Sequence, residues 1–204
     1  EYSYTDKKAG YWYGTTHQEK TEWWSGWNMA KKRILADYAI GVDDPAIGSD
    51  LTLNRKDAFE CVVYPDRIER GWGHTQETFQ MLDNTPVLSI DLVSIADSLF
   101  IVPDLSHISE VKDSEHGLFL TPTEAPDMNI LIAPARKTGF VRFGDGIKAG
   151  AEADGFIMTY GTENECIALA DLYRKSGRQM MKERKERISG LITDYNYVKT
   201  NLPS

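Results

Sequence analysis

Cysteine, long apolar runs and a surplus of positive charge are all missing or scarce in this sequence of 204 residues. Its two cysteines, Cys61 and Cys166, are too few for a disulfide scaffold and lie at no metal-ligand spacing, so we expect both to be free and buried. The longest apolar runs, at residues 99–102 and 130–135, are far shorter than the ~20 residues that a membrane-spanning helix requires. We therefore expect no disulfide framework and no membrane partner.

Negative charge outweighs positive charge in the chain. The 23 Lys and Arg residues face 31 Asp and Glu residues, which leaves a net charge of -8. A nucleic-acid backbone would be repelled by this surplus, so we expect no nucleic-acid partner. The content of 41% hydrophobic and 26% charged residues is typical of a globular chain and excludes a disordered one.

The sequence begins at Glu1 without an initiator methionine and without the charged and apolar run of a signal peptide. We expect that its natural N-terminus has been trimmed. The residues do not encode the compartment, which is cytoplasmic or periplasmic.

Short segments with a period of two dominate the first 160 residues. Between residues 33 and 42, apolar side chains alternate with smaller or more polar ones, which predicts a half-buried strand, and residues 42–45 predict a turn after it. Further candidate strands, each bounded by Gly, Pro, Asp or Asn, lie at residues 58–64, 67–81, 87–94, 98–102, 117–121, 129–133, 139–143 and 154–160. So many strands without helical patterns between them predict a mainly β fold, a two-sheet antiparallel β-sandwich.

The pattern changes after residue 160. Thr162 and Glu165 have the spacing of a capping box, which predicts the start of a helix. Apolar residues then recur near helical spacing, whereas Gly177 weakens the middle, so we predict one long or broken helix. The chain divides into a β-sandwich domain at residues 1–160 and a C-terminal connecting helix and tail at residues 161–204.

A run of mixed charge at residues 182–187 follows on this helix. Its spacing permits an i,i+4 pair between Glu183 and Arg187, which is typical of a solvated helix face. A basic recognition patch is the alternative interpretation of the same run.

Aromatic residues cluster between positions 10 and 28, where four of the 5 tryptophans fall. Sugars stack their C–H faces on flat rings and need planar donors and acceptors for their hydroxyls, so this segment predicts a carbohydrate-binding surface. Clustered tryptophans also pack against a neighbouring domain or cover the end of a sheet, and both interpretations stay open. The predicted carbohydrate-binding residues are Tyr11, Trp12, Tyr13, His17, Glu22, Trp23, Trp24 and Trp27.

No catalytic residue is assigned from the sequence. Glycosidases hold two carboxylates ~5 to ~9.5 Å apart, and sequence spacing does not reveal such a pair. With 31 acidic residues, pairs such as Glu19 with Glu22 or Asp91 with Asp97 arise by chance.

The histidines and glycine turns carry no ligand motif. The 4 histidines lack both the helical spacing of a zinc site and a neighbouring cysteine, and residues 107–116 predict a solvated loop between strands. The Gly-Asp-Gly turn at residues 144–146 is not followed by the Lys and Ser or Thr of a phosphate loop. We therefore expect no metal site and no cofactor.

Three stretches carry a resemblance to a known family. Residues 32–38 (KRILADY), 63–68 (VYPDRI) and 156–165 (FIMTYGTENE), together with the aromatic segment, resemble the N-terminal domain of bacterial glycogen debranching enzyme-like proteins, the amylo-alpha-1,6-glucosidase group. The resemblance implies a β-sandwich, a turn such as Gly-x-Thr/Asp-x-x-Glu and a helix rich in Ala, Leu and charged residues, followed by an (α/α)6 barrel. It places the acid and base that hydrolyse α-glucosidic linkages on that barrel, so the chain alone is expected to be inactive.

This resemblance also implies two partners, which are a downstream (α/α)6 catalytic domain of the same polypeptide and an α-glucan. The sandwich would then support the barrel, and the helix would connect the two. One alternative is a stand-alone protein- or carbohydrate-interaction module with no link to hydrolysis. Another is a sandwich enzyme that cleaves polysaccharide by itself, which requires a cleft with two facing carboxylates.

Overall fold

The computed structural model describes residues 1–17, 24–44 and 48–195, and its strands form three antiparallel sheets. The first sheet contains, in spatial order, β1 (Tyr2–Thr5), β2 (Gly10–Gly14), β3 (Gly26–Met29) and β4 (Lys32–Leu35). The chain then passes directly from β4 into the third sheet, which begins with β5 (Tyr38–Asp44).

The second sheet is the largest, with eight strands. In spatial order it contains β12 (Ile108–Ser114), β13 (Gly117–Pro122), β14 (Asn129–Pro134), β17 (Gly155–Gly161), β10 (Val87–Ser94), β9 (Thr75–Met81), β8 (Arg67–Trp72) and β7 (Glu60–Val63). The third sheet contains β15 (Phe140–Phe143), β16 (Gly146–Gly150), β11 (Ser98–Pro103), β5 and β6 (Ser49–Thr52). A helix, α1 (Glu163–Tyr195), follows the last strand.

The large sheet buries side chains on both of its faces. In β14, Ile130 and Ile132 belong to the main core, which all three sheets share, whereas Leu131 and Ala133 belong to a second core beneath α1. Successive side chains of a strand point to opposite faces, so the large sheet lies between the two smaller sheets and the helix. The predicted mainly β sandwich with a C-terminal helix is confirmed.

Helix α1 packs on the large sheet through a single face. Its buried residues recur every three or four positions, as expected for one stripe of a helix; they are Cys166, Ala170, Tyr173, Gly177, Met181 and Arg184. The predicted capping box is present, because the Glu165 N–H donates to Thr162 Oγ1 at 3.4 Å and the Thr162 N–H donates to Glu165 Oε2 at 2.8 Å. The long face buried against strands makes α1 part of the same packed unit as the sheets.

A single carboxylate attaches the C-terminal half of α1 to the sheets. Asp83, just after β9, forms ion pairs with Lys7, Arg184 and Arg187. Arg184 is buried and also donates to the backbone oxygen of Thr5 at 3.2 Å. The predicted i,i+4 partner of Arg187 therefore needs correction, since its guanidinium binds Asp83 instead of Glu183.

Two candidate strands are each divided in the structure. The strand predicted at residues 33–42 is split between β4 and β5 in different sheets, and Arg55 binds the side chain of Asp37 between them. The segment at residues 67–81 forms the β8–β9 hairpin, with a positive φ of 54° at Gly73 in its turn. The turn predicted at residues 42–45 is also corrected in part, since β5 continues to Asp44, and Pro45 lies outside the described residues.

The loop predicted at residues 107–116 is instead mostly β12, an edge strand of the large sheet. A bulge between Ile108 and Glu110 shifts its register, which destroys the period of two that would have revealed a strand. Both cysteines are free as expected, but Cys61 is only half-buried, whereas Cys166 is buried. Within the described ranges, no helix is long and apolar enough to cross a membrane.

Replacement of the two helical glycines by alanine should have opposite effects. A Cβ on Gly177 would lie 2.5 Å from a ring carbon of Tyr173, whereas a Cβ on Gly190 would meet nothing within 4 Å. We expect Gly190→Ala to stabilise the protein by about 0.5 to 1 kcal/mol through helix propensity, and Gly177→Ala to destabilise it by displacing Tyr173. Thermal and urea unfolding measure both effects, and a stabilising Gly177→Ala would contradict this packing.

The contribution of the ion pairs that Asp83 forms with Lys7, Arg184 and Arg187 to stability should depend on pH. Burial alone raises the pKa of Asp83, but the hydrogen bond from Lys7 and the charges of Arg184 and Arg187 together hold that pKa below its usual value. A carboxyl with a lowered pKa stabilises the fold above its ordinary pKa of 3.8, and this contribution is lost as the pH falls through the folded-state pKa.

We therefore expect Asp83→Asn to destabilise the protein at pH 7, with a deficit that shrinks as the pH falls below about 4. Asp145→Asn, in an exposed turn, serves as the matched control. Urea unfolding across this pH range provides the measurement. A deficit that stays constant with pH would show that the ionised carboxylate does not attach the helix.

Candidate functional site

Trp12 and Trp27 lie inside the main core. Their relative exposures are 1% and 0%, the Trp12 ring centroid lies 5.1 Å from that of Phe79, and Trp27 lies 6.3 Å from Tyr160. A ring without exposed area cannot contact a ligand, so the predicted sugar contact is corrected for these two residues. Their packing agrees with the alternative in which clustered tryptophans cover a sheet.

Three neighbouring rings remain accessible on the other face of the first sheet. Tyr11 and Tyr13 alternate with Trp12 along β2 and therefore point away from the core, where both are half-buried. The ring of Trp24, also half-buried, meets the Tyr13 ring edge-on at 6.3 Å. We call Tyr11, Tyr13 and Trp24 the aromatic shelf. Two other predicted residues, Glu22 and Trp23, lie outside the described residues.

The exposed His17 lies at the mouth of a cavity of about 440 Å³. Asp37, Arg55, Lys56 and Trp72 line this cavity, and we call it the His17 cavity. Its volume falls within the ~300 to ~1,000 Å³ of typical small-ligand sites. The cavity combines one indole with carboxylate, guanidinium, ammonium and imidazole groups, a mixture suited to a ligand with several hydroxyls.

An ion pair fixes one wall of the His17 cavity. Arg55 donates to both carboxylate oxygens of Asp37, at 2.7 and 2.6 Å, and its guanidinium lies 5.2 Å from the centre of the Tyr38 ring. Burial alone lowers the pKa of Arg55, but the charge and hydrogen bonds of Asp37 outweigh burial and raise it. The wall therefore carries a permanent, oriented guanidinium.

A buried polar network lies beneath the cavity. Arg70 donates to Glu77 at 2.7 Å and to the Tyr2 hydroxyl at 2.9 Å, while the Tyr38 hydroxyl donates to the other Glu77 oxygen at 2.7 Å. The side chains of Arg70 and Glu77 are only 0% and 1% exposed. Burial and the charge of Glu77 raise the pKa of Tyr38 well above its ordinary value, so its hydroxyl stays protonated and donates.

The carboxylates at this site are held by arginines, Asp37 by Arg55 and Glu77 by Arg70. Glycoside hydrolysis needs one carboxyl group that gives a proton and another that attacks or activates water. Carboxylates fixed in such pairs serve as structural acceptors, so the cavity is equipped for binding by hydrogen bonds.

The acidic pairs considered in the sequence do not form a cleft in the described residues. Asp91 lies beneath α1, where the hydroxyl of Tyr173 donates to it at 3.2 Å, while Asp97 is exposed in the turn before β11. Both Glu19 and Glu22 lie outside the described residues.

Sequence reasoning selected only His17 among the residues that line the cavity, and it did not select Asp37, Arg55, Lys56 or Trp72. Asp37 carried no distinguishing signal, because it lies at one of the more polar positions of the alternation at residues 33–42. Its partner Arg55 lies 18 positions away. Nothing in the local pattern indicates that pairing.

No family model and no curated protein sequence matches this chain. The family resemblance of residues 32–38, 63–68 and 156–165 therefore stays a prediction. Within the described part of the chain, no group of three His, Cys, Asp or Glu side chains is placed to hold a metal ion.

Two Glu→Gln substitutions compare what a buried ion pair and a more exposed ion pair contribute to the free energy of unfolding. Glu77→Gln leaves the buried Arg70 without its counter-charge, so we expect a loss of about 3 to 5 kcal/mol in the free energy of unfolding. Glu69, on neighbouring β8, pairs with Arg67 at 2.6 Å, and both side chains keep some exposure, at 22% and 16%. Glu69→Gln should cost about 1 kcal/mol or less. Urea unfolding compares them, and equal losses would refute the structural role of Glu77.

Proposed function

We propose that this chain is a non-catalytic β-sandwich domain of a glucan-cleaving glycoside hydrolase of the glycogen debranching type. In this proposal it holds α-glucan at the His17 cavity and the aromatic shelf, while a separate (α/α)6 domain performs hydrolysis. The family assignment rests on the resemblance of residues 32–38, 63–68 and 156–165. The structural observation that carries the binding role is the His17 cavity.

The chemistry of the cavity suits a sugar ring. Hydroxyl groups need planar donors and acceptors, and the paired Asp37 and Arg55 present both in a fixed orientation. The indole of Trp72 is held by a hydrogen bond from its Nε1 to the backbone oxygen of Asn54 at 2.7 Å. Rigid polar and aromatic groups bind with little loss of side-chain entropy.

The aromatic shelf lies next to this cavity. Tyr13 of the shelf lines a crevice of about 10 Å³ together with Asp37 and Arg55 of the cavity wall, which places the shelf beside the cavity. In this proposal, a glucan chain with one unit at the cavity extends over the rings of Tyr13 and Trp24. Aromatic rings on a sheet face offer the flat surface on which sugar C–H groups stack.

A second candidate function, a protein-interaction module, is favoured by exposed apolar residues around the β8–β9 turn. Phe59 and Val93, which are 69% and 71% exposed, lie on one side of this turn. Leu51 and Ile95 lie on its other side, and Ile95 is 68% exposed. Exposed apolar side chains grouped in this way are typical of a docking surface.

Calorimetric titration of a linear α-1,4-glucan oligosaccharide separates these functions. We expect Trp24→Ala to weaken glucan binding by about 1 to 3 kcal/mol, because it removes a stacking ring from the shelf. Phe59→Ala removes an exposed ring outside the shelf and should leave glucan affinity unchanged. Absence of glucan binding would contradict the binding role, and glucan hydrolysis by this chain alone would contradict the non-catalytic role.

A further inference from the structure

A second concave surface lies on the helix side of the large sheet. This groove of about 820 Å³ runs between residues 173–179 of α1 and the segments of the chain around Asp91 and Asp154. We call it the helix groove. It is separate from the His17 cavity, which shares none of its lining residues.

The helix groove carries positive charge in a protein whose net charge is -8. Four cationic side chains line it, and two acidic side chains, Asp91 and Asp154, accompany them. The cationic residues are Arg136, Arg174, Lys175 and Arg178. Arg174 and Arg178 are four positions apart on α1, where like charges repel each other unless an anion lies between them. Asp171 also pairs with Arg174 at 3.2 Å, so the four cations face three carboxylates and keep a surplus of one positive charge.

Two of these arginines converge on one atom. Arg136 and Arg178 both form ion pairs with Oδ2 of Asp154, the latter at 2.6 Å. The backbone of Asp154 is held in turn, because its N–H donates to Ala151 at 3.1 Å and its carbonyl accepts from Leu92 at 2.9 Å. A single carboxylate thus orients two guanidinium groups while it neutralises only one of them.

Arg174 contributes a hydrogen-bond donor to the groove, and Asp91 contributes a carboxylate acceptor. Arg174 donates to the carbonyl of Pro134 at 3.1 Å and to the carboxylate of Asp171 at 3.2 Å, but its buried Nε has no hydrogen-bond partner in the described part of the chain. Asp91 accepts from the hydroxyls of Ser89 and Tyr173, at 2.6 and 3.2 Å. Burial raises the pKa of Asp91, while the hydrogen bonds from Ser89, Tyr173 and Gln80 act in the opposite direction.

We propose that the helix groove binds a small phosphorylated ligand, with its phosphoryl oxygens on Arg136, Lys175 and Arg178. Guanidinium groups match phosphate oxygens in paired, charge-assisted hydrogen bonds, and an anionic phosphoryl group neutralises the positive surplus of the groove. The groove has room for more than the phosphoryl group, and Asp91 offers a hydrogen-bonding partner to a hydroxyl on the rest of the ligand.

The test compares two double variants of α1 that remove the same charge. Lys175→Gln with Arg178→Gln changes the groove, whereas Lys182→Gln with Lys185→Gln changes exposed lysines outside its lining. Thermal shift and calorimetry with inorganic phosphate, glucose 6-phosphate and glucose are run at constant ionic strength. We expect saturable binding of a phosphorylated probe, with a dissociation constant at least ~10-fold higher in the groove variant and unchanged in the control.

Each result of these binding measurements either supports or contradicts a phosphorylated ligand in the helix groove. Binding of inorganic phosphate supports recognition of the phosphoryl group alone, and binding of glucose 6-phosphate without phosphate or glucose supports a phosphorylated sugar. Arg136→Gln, on the opposite wall, should weaken binding as the groove variant does. Equal affinities in the two double variants, or a thermal shift that chloride reproduces at the same ionic strength, would overturn the proposal.

Discussion

The buried ion pair between Arg70 and Glu77 is the interaction on which the arrangement of the sheets depends. Both residues lie on the large sheet, and their hydrogen bonds reach Tyr2 in the first sheet and Tyr38 in the third. Removing two charges from water costs several kcal/mol per ion, which is recovered only if every donor and acceptor meets its partner. The network therefore requires one relative position of the three sheets. Phe79 packs on the same aromatic residues, so apolar packing and hydrogen bonding impose the same geometry.

This arrangement creates the two candidate sites on opposite faces of the large sheet. On the inner side, Tyr38 and Glu77 form the floor of the His17 cavity, so the network that joins the sheets also supports the proposed glucan site. On the outer side, α1 covers the second core, and the helix groove opens beside Tyr173. A glucan and a phosphorylated ligand would occupy these sites together without contact. Any influence of one bound ligand on the affinity for the other would pass through the large sheet.

The helix is a structural part of the domain as well as its C-terminal extension. Its first half is buried against β14 and β17. Its second half is attached by Arg184 and Arg187 to the single carboxylate of Asp83. A partner domain that follows the helix in the proposed enzyme would thus be connected to a rigid support.

The sequence by itself determined the local structure, because local structure depends on neighbours in the chain. Alternating apolar residues specified most strands, and Thr162 with Glu165 specified the start of the helix. Tertiary structure decided which aromatic side chains are buried, since Trp12 faces the core and Tyr13 does not. It also decided the candidate sites, because Asp37 with Arg55, and Arg136 with Arg178, meet only after distant segments pack together. The hydrophobic period and the residue spacing of a sequence describe one segment at a time, whereas each candidate site combines charged side chains from several segments.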